Sequence, residues 1–289
     1  MTREEKIEKL RNLQKAYILY SMFTKIPYVE CEEGNYYDQV FLFETKEDAE
    51  AMAKKIFEKG DLVGVTELKT VEMPQPQTEN SNVVPMRKLM RNQVREHLMK
   101  FPLCGINAVY FQPAGEEGES LPIDDVLPKE VKAEVEKEKS PRMGVQLTGI
   151  YFAQYVRRKE KDNAVLQEKY EEFYANLART KLLLPVIPPE ELKNEKTLDL
   201  SKCMLPIYNP QNGPEGEKIP MMGLFSNMDE LVVHSRNHVS EVRVVEADLA
   251  DLQKFVPANV EYIVVDPLTL CITLKVADVV RIINSIRER

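Results

Sequence analysis

The chain has 289 residues, 43% hydrophobic and 30% charged, a balance that excludes a chain disordered throughout and leaves room for two domains of ordinary size. A formal net charge of −8 repels phosphate backbones and anionic headgroups, so neither nucleic acid nor a membrane surface is an expected partner. The charged start MTREEKIEKLRNLQKAY lacks a signal-like apolar core, no apolar run reaches membrane-spanning length, and Cys31, Cys104, Cys203 and Cys271 show no paired spacing, so a cytoplasmic protein with reduced thiols is expected.

In chain order, Thr2 and Glu5 are spaced as a capping box for a helix from about Arg3 to Met22, with Leu10, Leu13, Tyr17 and Tyr20 on one stripe. TKIPYVEC follows as an extended segment. FLFETKEDAEAM, from Phe41, reads as a strand running into a helix that Thr45 and Asp48 open. After the insertion PQPQTENSNVV, the stretch MRKLMRNQVREHLM predicts an amphipathic helix. Its Met86, Met90, Val94 and Met99 lie beside Arg87, Lys88, Arg91 and Arg95, and it either packs on the first domain or fills a partner's groove. FPLCGINAVYFQP is a turn at Gly105 followed by an apolar strand. Charged, proline-punctuated residues 116–145 read as a linker.

In the second half, YVRRKEK at Tyr155 to Lys161 reads as a solvated face, because Glu160 and Asp162 offset its charge. A helix from Asn163 to Ala178 carries the stripe Leu166, Tyr170, Phe173 and Leu177, and TKLLLPVIP follows as a strand. PQNGPEGE marks a turn between CMLPIYN and IPMMGLF. In GLFSNMDELVVHS, Leu224 and Phe225 end a strand, Ser226 or Asn227 caps a helix, and Asp229 and Glu230 oppose the positive end of its dipole. A last helix, Val276 to Ile286, turns Val276, Val279, Val280 and Ile283 inward, and Cys271 in LTLCITL reads as core.

The two halves repeat this order. Thr24-Lys25 matches Thr180-Lys181, Phe43 matches Phe225, and FPLCGINAVYFQP matches FVPANVEYIVVDP without a gap, pairing Gly105 with Asn259, Val109 with Ile263 and Pro113 with Pro267. Gly and Asn both tolerate a left-handed turn, which gives the shared position before each strand a mechanical reason. The expectation is an α+β protein of two related mixed modules in tandem, residues 1–115 and 146–289, each with an N-terminal helix, a small sheet and a capped helix between strands.

The run Phe225-Ser226-Asn227-Met228-Asp229-Glu230-Leu231, preceded by LPIYN and followed by a strand ending at Asp266-Pro267, resembles the SseB family, named for enhanced serine sensitivity. The first half resembles it more loosely, with Glu44 in place of Ser or Thr and Gln112 before Pro113. The resemblance implies an α+β module without an established enzymatic role, and through the family name a link to amino-acid stress.

No residue set commands a reaction. His234 and His238 share one helix face, but Ser235 stands where a zinc protease has Glu and no third ligand is evident, so no metal is expected. Glu32 and Glu33 beside Cys31 disfavour its thiolate, and no glycine-rich phosphate loop is present, so no cofactor is expected. These readings favour a non-catalytic interaction or regulatory protein with a protein partner. The alternative is a hydrolase or transferase whose site forms in the cleft between the two modules.

Overall fold

A computed structural model of the chain describes residues 1–32, 34–72, 90–195, 197–208, 219–235 and 242–288. The fold is mixed α+β and divides into two compact units, Met1–Met22 with Ile26–Lys139, and Phe23–Lys25 with Ser140–Arg289.

The first unit opens with α1 (Arg3–Asn12), closed at its start by the Thr2–Glu5 capping box. The helix stops ten residues short of the predicted Met22, because residues 15–21, KAYILYS, form β1 (Lys15–Ser21). Aromatic and β-branched residues fit a pleated surface better than a helix. Ala16, Ile18 and Leu19 are fully buried there, and burying a side chain such as Ile18 or Leu19 contributes about 1.5–3 kcal/mol. The helical spacing of Tyr17 and Tyr20 was therefore misleading.

Next come β2 (Glu30–Glu32), β3 (Tyr37–Phe43), α2 (Lys46–Glu58), β4 (Val63–Glu72), β5 (Met90–Asn92), α3 (Gln93–Lys100), β6 (Ala108–Gln112) and β7 (Glu119–Pro122), then α4 (Ile123–Val126) and α5 (Lys129–Glu138). One sheet takes the order β5-β4-β1-β3-β6-β7, with β2 also paired to β3. β3 and β6 are parallel, with Val40 opposite Val109. Thr45 caps α2 by accepting from the Asp48 amide. Leu19, Tyr28, Phe41, Phe43, Ala49 and Ile56 make a core cluster between α2 and the sheet.

The predicted helix at 86–99 is a short strand plus α3, because Asn92 caps at that point by accepting from the Arg95 amide; residues 86–89 lie outside the described residues. The predicted linker at 116–145 is ordered instead. β7 pairs with β6, and Ile123, Val126, Val131 and Val135 are buried, so its charges cover an apolar stripe rather than mark a boundary.

The second unit comprises α6 (Met143–Val156), α7 (Asn163–Arg179), β8 (Leu182–Val186), β9 (Ile207–Tyr208), β10 (Met221–Leu224), α8 (Met228–His234), β11 (Arg243–Ala247), β12 (Tyr262–Val265), β13 (Ile272–Lys275) and α9 (Val276–Arg287). Strands run in the order β13-β12-β10-β9, and β8 pairs with β11. β10 and β12 are parallel, with Met222 opposite Ile263. Leu183 of β8 exchanges main-chain bonds of 2.8 and 2.9 Å with Phe225, joining β8 to the end of β10. Pro185, which has no N–H, lies opposite Val244 of β11.

α9 buries Val276, Val279, Val280 and Ile283 as its apolar spacing predicts. The turn PQNGPEGE lies outside the described residues. Gly105 is left-handed at φ 84°, whereas its sequence match Asn259 is not among the positive-φ residues: Gly105 directly ends the 3-10 turn Phe101–Cys104, while Asn259 lies five residues beyond the 3-10 turn Leu249–Lys254. Thr24-Lys25 follow β1 while Thr180-Lys181 precede β8, so that dipeptide match does not mark equivalent positions.

Candidate functional site

In the second unit, the ends of the parallel strands β10 and β12 bring two sequence-distant segments together, 225–231 and 266–271. Phe225 is fully buried with Leu183 and Leu231, and the Asp266 amide donates to the Leu224 carbonyl at 2.9 Å. Asp266 takes a left-handed conformation, φ 46°, which turns its side chain back on Ser226. The Ser226 amide donates to Asp266 Oδ1 at 2.7 Å and its hydroxyl donates to Oδ2. Both residues are buried.

One turn further on, Asn227 Oδ1 accepts from the Glu230 amide at 2.8 Å and opens α8. Glu230 Oε1 accepts from the main-chain amides of Leu268 at 2.7 Å and Thr269 at 3.2 Å, while Oε2 accepts from the Thr269 hydroxyl. On the loop's far side, Arg157 Nη2 donates to the carbonyls of Leu270 at 2.9 Å and Cys271 at 3.1 Å. The loop DPLTLC is thus held by a carboxylate at its amides and by a guanidinium at its carbonyls, the charge-assisted arrangement for each.

Burial pushes the Asp266 carboxyl up to about 7, and the neighbouring Glu230 charge adds to the rise. Burial also raises Glu230, against the lowering effect of its donors Thr269, Leu268 and Asn227. Below about pH 7 the Asp266 carboxyl therefore holds its proton in the folded chain. Every carboxyl oxygen in the cluster is engaged by the protein's own donors, so the chemistry it performs is to fasten two strand ends and a helix.

The first unit fastens the corresponding loop differently. Glu44, where the second unit has Ser226, accepts from the amide of Ala114, the residue after Pro113, at 2.8 Å and pairs with Lys9 at 2.5 Å. Its carboxyl is held below the ordinary Glu value by these donors, against the effect of burial.

Residues singled out in the sequence are dispersed. His234 sits in the last turn of α8 with its ring centroid 5.1 Å from that of Phe225, and burial lowers its pKa; His238 lies outside the described residues. Among the described residues no group of three His, Cys, Asp or Glu side chains is arranged to hold a metal ion. Cys31 is exposed on β2, and Glu32 accepts from the amides of Gly34 and Asn35, closing a turn. Cys271, expected in the core, is exposed: it occupies a left-handed turn, φ 48°, so the apolar residues flanking it point inward in its place.

Arg157, read as part of a solvated face, is half-buried and holds the 266–271 loop; Arg158 stacks over Tyr155 at 4.7 Å. Arg91 pairs with Glu96 through two bonds of 2.7 and 2.6 Å. Sequence reading missed Glu230 as a loop clamp and the Tyr20–His97 pair, in which the Tyr20 hydroxyl lies 2.8 Å from His97 Nε2. The acidic residue at the third helical position, followed much later by Asp-Pro, was the available signal for the former. Among the described residues no helix is long and apolar enough to cross a membrane.

No known family profile matches the chain, and no curated protein matches it. Among solved structures, the match is to Anabaena Tic22, a protein of protein transport, at 8% identity, over 88% of this chain and 86% of that one, with a TM-score of 0.18. A likeness that slight carries no argument about fold or function.

Proposed function

We propose that the chain is a non-catalytic protein-binding or regulatory protein of the SseB type, built from two copies of one α+β module. The observation that carries the reading is the use of its most recognisable residues: Ser226, Asn227, Glu230, Asp266 and Thr269 all spend their polar groups on one another and on the main chain. The clasp leaves several apolar side chains outward. Met228 and Val232, one turn apart on α8, and Leu268, whose amide Glu230 holds, are 48%, 47% and 42% exposed. Exposed apolar groups on a rigid support suit protein contact.

Duplication is supported by register. Val40 faces Val109 and Met222 faces Ile263, and these positions correspond through the sequence matches Phe43–Phe225 and Val109–Ile263. Each unit also pairs its first strand antiparallel with the strand after its capped helix. Each begins the helix after its last strand with an equivalent bond, Ile123 amide to Asn107 carbonyl at 2.8 Å and Val276 amide to Glu261 carbonyl at 2.9 Å. A role in amino-acid stress has the family resemblance as its support.

Affinity capture of the full chain from its source cells, run beside a Met228→Ser/Val232→Ser variant, is expected to recover a protein that the variant loses. Equal recovery removes this face from the proposal. A hydrolytic or transfer activity abolished by Asp266→Asn in a folded protein would overturn the non-catalytic reading.

A further inference from the structure

The first unit contains a cavity of about 250 Å³ where α1, α3 and the start of α5 meet. Its floor is apolar: Leu98, Val126 and Val131 line it and are otherwise buried. Its rim carries Arg11, Arg95 and Glu8. Arg11 Nε and Nη2 donate to the carbonyls of Val126 at 2.8 Å and Asp125 at 2.7 Å, which fix the guanidinium, and its Nη1 is ion-paired with Glu8. Glu8 is 3.7 Å from Arg11 and already accepts from Asn12 Nδ2 at 2.7 Å. The Arg95 guanidinium has no ion pair or hydrogen bond among the described residues, although the rest of α3 is well anchored through Val94 and Leu98. An apolar floor beneath a guanidinium that has no partner among the described residues asks for a ligand with one anionic end and one apolar end.

We propose that this cavity binds a small organic carboxylate with a compact apolar body, the carboxylate meeting Arg95 beside the fixed Arg11 and the body resting on Leu98, Val126 and Val131. The volume lies just under the range of about 300–1,000 Å³ found for drug-sized ligands, which restricts the body to roughly one ring. Phenylacetate is a suitable probe, with phenylacetamide as its neutral isostere and inorganic phosphate as an anion without a body.

Protein-observed NMR titration of the full chain is the test. Phenylacetate is expected to bind saturably, shifting resonances of residues 8–12, 95–98 and 126–131. Phenylacetamide is expected to bind about tenfold more weakly or worse, as loss of a charge-assisted contact requires. Arg95→Gln, which removes a guanidinium without an ion pair or hydrogen bond among the described residues, is expected to weaken phenylacetate by a similar factor and leave phenylacetamide unchanged. Absence of saturation, equal affinity for acid and amide, indifference to Arg95→Gln, or phosphate competing as well as phenylacetate would each overturn the proposal.

Discussion

Asp266 ties the ends of β10 and β12 together through one buried side chain. Its carboxyl rises from an ordinary 3.8 to about 7 in the folded chain, so the folded state binds a proton that the unfolded state releases. The sign follows: the stabilisation is complete below pH 3.8 and is lost as pH rises through about 7. Groups such as Glu44 and Asp248, whose values are lowered, run the other way, losing their contribution as pH falls. The comparison that isolates Asp266 is therefore a difference. Urea unfolding of the wild type and Asp266→Asn, measured from pH 4 to 7, is expected to show wild-type stability falling relative to the variant as pH rises; parallel curves would refute it. Ser226 and Asn227 were legible as helix-opening residues because capping is local. Glu230 as a clamp was not, since its partners lie 38 and 39 residues away and meet it only through the parallel register of β10 and β12.

At the scale of elements, local chemistry decided what could be read. Helices such as α2 and α7, through their caps, and α9, through its apolar stripe, were recoverable because those signals lie within a few turns. α1 was overextended because Tyr17 and Tyr20 satisfy a helical spacing by coincidence, while the strand's real signature is the fully buried run around Ile18 and Leu19. α6 escaped notice because it is apolar on most of its surface, leaving no single stripe to recognise. That helix makes a specific demand at Gly149, where an added Cβ would lie 2.8 Å from Leu270 Cδ1 and 3.3 Å from Phe173 Cε2. Gly149→Ala is expected to destabilise the protein by about 1–3 kcal/mol by thermal or urea unfolding, because both neighbours are packed core. At α8, Asn227→Ala removes the Glu230 amide's acceptor and is expected to cost about 1 kcal/mol. Asn227→Ser is expected to recover most of it, separating the cap from the side chain's bulk.

For the molecule as a whole, the alternation of strand-like and helical segments already pointed to α+β architecture, and part of the element order was readable from turn and cap chemistry. The boundary was not. Residues 116–145 have the charge and prolines of a linker, yet Leu121, Ile123 and Val126 bury themselves in the first unit, and a charged surface over an apolar stripe resembles a tether when only composition is weighed. Likewise the Arg11–Arg95 cavity could not be foreseen, because it joins three elements whose meeting is a product of the sheet's topology.

Pro185 has a consequence for how this protein behaves in concentrated solution. Leu183 directs its main-chain groups to Phe225, so by alternation Val244 and Glu246, opposite Pro185 and Leu183, direct theirs away from β8. Among the described residues no strand receives them. Such a bare edge is a template for other molecules of the same chain, and charge is the usual guard against stacking. Glu246, paired with Arg142 at 2.8 Å, supplies that guard. Glu246→Val is expected to turn a stable solution into one whose light scattering grows with concentration and time, while Glu246→Lys stays clear; equal scattering from both would deny the edge this role. On this reasoning a single carboxylate on β11 governs how long the chain stays in solution, which the scattering comparison decides.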